Sequence, residues 1–296
     1  MLNPGFSAEA EEAYGSRYVV PPALREAIVG ANAEYDTGVE RRTQRAFGDE
    51  LWGRLRELGV HDLPWGDLRV LDACCGTGFL SYHLLARARP RSLTMLDVSA
   101  DEVRAAQQLV GPGADTVVGD LAATDELGQF DVVMGNSFLH HFPAVPDVLA
   151  SIFRLTRPGG TFIGLHEPTP AALPWESGDP RQVASFFLSR RRYMNGTRHS
   201  GPGPVRDGTT DVWIFEPDDV RRLLEDAGFT GVRVLPRYLV RPFLMAALGL
   251  HLSERRPRLT RIESLLLRAA VRVDSLLRRV LPAGAFGGVA FVTRRP

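Results

Sequence analysis

Between residues 66 and 168 the chain alternates short apolar runs with helix-period segments, and that alternation restricts the fold more than any other feature. Strands are expected at Leu68–Ala73, Ser92–Val98, Asp115–Val118, Phe130–Asn136 and Thr161–Glu167, each a β-branched or apolar run followed by a turn. The intervening helices carry end signals: Ser99 and Glu102 have capping-box spacing, Pro146 and Asp147 suit a first turn, and "RPGG" at 157–160 stops a helix. Strands and helices in this rhythm give an α/β fold with a parallel, doubly wound sheet.

Two segments interrupt the rhythm, at about 168–213 and 241–284. The first is rich in Pro, Gly and Arg, with one helical piece near "RQVASFFLSRRRYMNG". "EPDDVRRLLEDAGF" reads as a helix with Pro217 first, acids in its first turn and Gly228 at its end. Further strands follow at "GVRVLPRYLV" and "GGVAFVTRR". In the second interruption Ile262, Leu266, Ala270, Val273, Leu277 and Val280 fall at helical spacing, with Arg261, Arg268, Arg272 and Arg279 on another face. Residues 1–60 form an N-terminal helical segment, and 61–296 hold the sheet domain.

Formal charge is zero, which gives no global reason to expect a nucleic-acid partner. The charge is unevenly placed, because residues 240–296 carry eleven Arg against Glu254, Glu263 and Asp274. All 35 Lys+Arg residues are Arg. That is the habit of a high-G+C bacterial genome, and it excludes lysine Schiff bases and P-loop lysines. No apolar run approaches the roughly 18–20 residues of a membrane span, and "MLNPGFSAEAEEAYG" lacks a basic stretch before an apolar one, so the cytoplasm is the expected location.

The only two cysteines, Cys74 and Cys75, are adjacent. Their Cα atoms are ~3.8 Å apart, below the roughly 4.4–6.8 Å of an unstrained disulfide. A structural zinc site needs a second ligand pair, which the chain lacks, so no metal is expected. The pair precedes Gly76-Thr77-Gly78, and this is the one G-x-G of three that follows an expected strand and opens a helix. Asp97 ends the second strand, 25 residues after Asp72, and Asp120 ends the third. Acids at successive strand ends beside a glycine loop converge on one crevice, where a carboxylate can take ribose hydroxyls.

"VLDACCGTGFL", "LTMLDVSADEVRAA", "VVGDLAA", "FDVVMGNSFLHHFP" and "LTRPGGTFIGLHEP" together resemble successive motifs of the class I S-adenosylmethionine-dependent methyltransferases. The resemblance implies a Rossmann-like seven-stranded sheet whose last strand is antiparallel, an N-terminal helical lid, and helical insertions after strands 5 and 6 that roof the crevice. It implies S-adenosyl-L-methionine as cofactor and S-adenosyl-L-homocysteine as product. Asp72 and the loop Cys74, Cys75, Gly76 to Gly78 would hold the methionine part. Asp97 with Val98 would hold the ribose, and Asp120 with Leu121 the adenine. Asn136 and Ser137 would lie near the cofactor, and Tyr18 and Tyr35 on the lid would close over it. Cys74 departs from the pattern, which usually has glycine there.

Methyl transfer asks the protein to align a nucleophile, exclude water and remove the acceptor's proton. The candidates for the last task are His140, His141, His166 and Glu167, after the fourth and fifth strands. The expected acceptor is a small, largely apolar molecule, with O-methylation favoured over C-methylation and, by association, bacterial natural product biosynthesis as the setting. Two alternatives stand beside this. One is a cofactor-binding protein of the same fold that catalyses a non-methylating reaction such as a cyclisation; the other is a membrane-surface lipid or quinone methyltransferase. The stripe at 262–280 suits a core or homodimer face, or peripheral contact with a membrane through 241–284.

Overall fold

The computed structural model describes residues 18–20, 22–33, 45–124, 126–172, 212–241 and 260–296, with a few positions between 181 and 189 and at 244. Tyr35, the Arg190–Arg192 run and most of the helical piece expected near residues 181–196 lie outside the described residues.

One seven-stranded sheet organises the chain. Its strands are β1 (Arg69–Ala73), β2 (Ser92–Asp97), β3 (Asp115–Val118), β4 (Phe130–Gly135), β5 (Thr156–Pro168), β6 (Thr230–Arg237) and β7 (Gly288–Arg294). Their order is β3-β2-β1-β4-β5-β7-β6. β7 runs antiparallel to both of its neighbours, and every other pairing is parallel. Each strand end lies within a residue or two of its expected position except the end of β6, three residues earlier, and the start of β5. There "RPGG" continues as strand, because Gly159 N donates to Arg295 O and Gly160 O accepts from Arg295 N.

The helices are α1 (Pro22–Ala33), α2 (Arg45–Glu57), α3 (Phe79–Arg87), α4 (Ala100–Val110), α5 (Val145–Leu155), α6 (Pro217–Asp226) and α7 (Arg261–Leu277). Side chains alternate along the strands, so neighbouring residues feed different cores. Leu71, Val133, Phe162 and Phe291 pack with α5 and α6, whereas Val70, Val132, Ile163 and Val292 pack with Leu51, Trp52 and Leu55 of α2 and Leu80 and Leu84 of α3. α2 is therefore part of the second core, while α1 covers the strand ends.

The helix-end chemistry follows the sequence. Ser99 Oγ accepts from Glu102 N at 3.3 Å. Pro217 begins α6 with Asp218 and Asp219 in its first turn, and Gly228 takes φ +95° after its end. α7 starts with a full capping box, in which Thr260 and Glu263 bond each other's backbone N–H. Of the settings expected for its apolar stripe, burial in the core is the one that does not hold for most of it. Leu267, Ala270 and Asp274 are buried, whereas Ile262, Leu266, Val273 and Val280 of the apolar stripe face solvent. No helix among the described residues is long and apolar enough to cross a membrane.

Candidate active site

The carboxyl ends of β1, β2 and β4 open on a cavity of about 470 Å³. One wall is the loop after β1. Cys74, Gly76 and Gly78 all adopt left-handed backbone, at φ +57°, +51° and +79°. Cys74 thus holds a conformation that glycine favours, which explains why glycine is usual there. Gly78 has a different task, since a Cβ on it would lie 2.8 Å from Ala106 Cβ and prevent α3 and α4 from closing together.

Two bonds tie this loop to the end of β2. Cys75 N donates to Leu96 O at 2.9 Å, and Gly76 N donates to Asp97 Oδ2 at 2.8 Å. Asp97 Oδ1 accepts from Ser99 N at 3.0 Å. The carboxylate retains acceptor capacity, and Asp97 lines the cavity. Burial pushes its pKa up, against hydrogen bonds from the backbone of Ser99, Gly76 and Val98. Asp120 Oδ1 caps the next turn by accepting from Ala122 N at 2.9 Å, and it lines the cavity with Val98 and Leu121. Burial raises the thiol pKa of both cysteines, so each is a protonated filler of the turn.

Asp72 lies at the base of the loop and does not line the cavity. Ser81 Oγ donates to its Oδ2 at 2.6 Å, while Oδ1 is buried without a partner. Burial pushes its pKa up to about 7, with Ser81 pulling the other way. A carboxyl whose pKa is raised by folding stabilises the fold while protonated. That contribution is complete below about pH 4 and is lost as pH rises to about 7, up to ~4 kcal/mol in all. Asp72→Asn removes the titration. In urea unfolding without cofactor, its stability relative to the native chain should grow from pH 4 to pH 8, and a constant difference would refute this account of Asp72.

The other wall is built by one carboxylate. Glu167 on β5 accepts from the backbone N–H of Phe138 (3.2 Å), Leu139 (3.0 Å) and His140 (3.2 Å), and bonds His140 Nδ1 at 2.8 Å. Since these oxygens are acceptors, the His140 proton sits on Nδ1 and Nε2 is the basic nitrogen. Glu167 is fully buried and stands behind His140, outside the cavity lining. His140, His141 and His166 do line it. His166 bonds Ser137 Oγ through Nδ1 at 3.1 Å, and burial, with Arg54 and His140 nearby, holds its pKa well below the usual range. Asn136, also in the wall, accepts from Arg54 Nη1 at 3.0 Å.

α1 closes the cavity with Arg25, Val29 and Asn32, and Asn32 Nδ2 donates to His141 O at 2.9 Å. Tyr18 takes no part in the lining. It stacks on Phe215 with centroids 5.2 Å apart, and its hydroxyl donates to Asp219. It packs in the core because an aromatic ring with a partner for its hydroxyl is satisfied there. Thr77 lies within the loop expected to hold the methionine part, whereas Arg25 was not legible as a site residue, since it belongs to no spaced pattern.

A polar cofactor fits this cavity. Thr77 Oγ1 and Arg25 Nε are buried without partners in its lining, and Asp97, Glu102, Asp120 and Asp147 set four acids against Arg25. That balance suits a ligand bearing a sulfonium and an ammonium with one carboxylate.

Residues 70–160 match the family model of a methyltransferase domain. A phthiotriol/phenolphthiotriol dimycocerosates methyltransferase of Mycobacterium tuberculosis is 35% identical over 137 residues, covering 42% of this chain and 50% of that protein. The demethylmenaquinone methyltransferase of Leptospira interrogans is 31% identical over 130 residues, with the same coverage of 42% and 50%. A second phthiotriol-type relative, from Mycobacterium ulcerans, is 38% identical over 98 residues and is matched over 37% of its length. The chain thus spans half or less of these curated relatives. Among solved structures, a phosphoethanolamine N-methyltransferase of Haemonchus contortus, in complex with S-adenosylhomocysteine, matches with TM-score 0.52 and 14% identity over 84% of this chain and 52% of that one. The [4+2]-cyclase SpnF matches with TM-score 0.51 and 17% identity over 97% of both. At these identities the likenesses speak for the fold alone. The family model and the sheet order together show that residues 70–160 resemble a class I S-adenosylmethionine-dependent methyltransferase domain.

Proposed function

We propose that the protein transfers the methyl group of S-adenosylmethionine to a hydroxyl of a small, largely apolar acceptor, with His140 as general base. The observation that carries this reading is the meeting, in one cavity, of the strand-end acids with a histidine whose Nδ1 is engaged by Glu167. In this reading Asp97 holds the ribose and Asp120 with Leu121 frames the adenine. The loop Cys74–Thr77 and Arg25 take the methionine end.

The bound cofactor would supply an activated methyl on its sulfonium, so the residues contribute position, dryness and proton removal. Phe138, Phe142 and Pro143 give the wall around His140 an apolar character. His140 Nε2 takes the hydroxyl proton as oxygen attacks, and Glu167 stabilises the imidazolium through Nδ1–H. Relatives named for methylating phthiotriol lipids and demethylmenaquinone support an apolar acceptor. Neither name decides between O- and C-methylation.

The fold is shared with a cyclase, so the test must read methyl transfer itself. Full-length protein with S-adenosylmethionine and a panel of phenols, quinols and long-chain alcohols should form S-adenosylhomocysteine with at least one of them. Cofactor binding with no S-adenosylhomocysteine from any acceptor, but conversion of a polyene to a cyclised product, would replace the reading.

A further inference from the structure

α7 presents three faces. The first holds it to the protein. Leu267 and Ala270 are buried, Asp274 accepts from the backbone N–H of Leu239 (3.3 Å) and Val240 (2.7 Å), and Arg278 bonds Glu57 of α2 at 2.8 Å. The second is apolar and open to solvent, with Ile262 70%, Leu265 58% and Leu276 61% exposed, and Val280, 75% exposed, in the turn just after the helix. Leu266 and Val273 continue it. At about 100° per residue these side chains fall in one stripe along the helix. The third face lies about 100° to one side of the stripe and carries Arg261, Arg268 and Arg272, with Arg279 in the turn just after the helix, all exposed.

Within the helix only two acids stand beside its arginines. Its two acids are Glu263, bonded to the backbone N–H of Thr260 at 2.7 Å, and Asp274, which is buried. Arg255, Arg256 and Arg258 add to the same charge just ahead of the helix in sequence. A stripe of exposed leucine, isoleucine and valine alone would suit a second copy of the chain. The arginine row argues against that occupant, because in an antiparallel two-fold pair like flanks meet, and here arginines would face arginines. A layer of lipid phosphates neutralises such a row while the acyl region receives the stripe.

We propose that α7 docks this face, parallel to the surface, on an anionic lipid bilayer. The docking does not depend on methyl transfer. If the acceptor is as apolar as proposed above, it also says where the enzyme meets it. α7 holds Val240 through Asp274, and the next residue leads to the cavity wall through Arg241–Glu50 (3.0 Å), Glu50–Arg54 (2.6 Å) and Arg54–Asn136 (3.0 Å).

Flotation of the full-length protein with vesicles tests this. At low salt it should float with phosphatidylcholine doped with phosphatidylglycerol and stay behind with phosphatidylcholine alone. Two double substitutions, Leu265→Gln with Leu276→Gln and Arg268→Gln with Arg272→Gln, should each lower partition about tenfold or more, at unchanged helix content and cofactor affinity. A native protein that does not float with doped vesicles overturns the proposal, as does flotation indifferent to both double substitutions. A stable dimer that the leucine pair of substitutions splits, with no flotation, assigns the face to a second copy instead. Because flotation needs no acceptor, absent S-adenosylhomocysteine with intact flotation would count against the enzymatic reading alone.

Discussion

Replacing His140 with Ala should lower kcat at least tenfold and up to about 10³-fold, the range general-base loss covers, while S-adenosylmethionine binds within a few-fold of the native affinity. The separation follows from where the groups sit. The cofactor contacts are assigned to the loop after β1 and the strand-end acids, while His140 stands on the turn after β4 and is anchored from behind by Glu167. Removing the imidazole leaves the three backbone N–H bonds to Glu167 available, so the turn keeps its main restraint. Calorimetric titration of the cofactor and single-turnover formation of S-adenosylhomocysteine measure the two quantities. An unchanged rate would take His140 out of the mechanism and pass the task to His141 or His166.

Gly76→Val and Cys74→Gly should part company just as widely. Both positions have left-handed backbone, at φ +51° and +57°. Valine is branched at Cβ and tolerates that region very poorly, so the chain at 76 must leave it, and Gly76 N then loses Asp97 Oδ2. Cofactor binding should fall by two orders of magnitude or more, since the loop wall and Asp97, proposed above to hold the ribose, are displaced together. Glycine at 74 instead relieves about 1–2 kcal/mol of backbone strain and returns part of it through unfolded-chain entropy. Binding should be retained and stability changed by less than about 1 kcal/mol. Loss of turnover in Cys74→Gly with binding intact would reveal a role for the thiol that its protonated, enclosed setting does not supply.

The strand ends and the acids on them were legible because a parallel sheet writes itself as apolar runs, and its loops must carry the polar chemistry. Asp97, Asp120, Asn136 and the histidines appear in the cavity lining for that reason. What lay beyond the sequence were facts of direction. Periodicity shows that α7 has an apolar stripe, but Leu267 and Ala270 sit on a different arc from Ile262, Leu265 and Leu276, and only packing decides which arc is buried. Glu167 and His166 are neighbours on a strand, so they point to opposite sides, and only His166 reaches the cavity. Tyr18 could be placed on a lid by resemblance. Its partner Asp219 is 201 residues away, a distance that no local pattern bridges.

The sheet order also has a bearing on how the molecule assembles. β7 lies between β5 and β6, so β6 has no partner in the sheet until a strand some fifty residues further along the chain arrives. Within the half that carries the strand-end acids, β1 to β5, the widest gap between paired strands runs from Ala73 to Phe130, whereas β7 returns to β5 across the far longer stretch from Pro168 to Gly288. The other half closes through a long loop, whose entropy must be overcome before its contacts form. Folding is then expected in two strokes, with the cofactor half taking shape first. The segment bearing α7 is spanned by the final closure, so the lipid-facing arginines are set in place only when the sheet is complete.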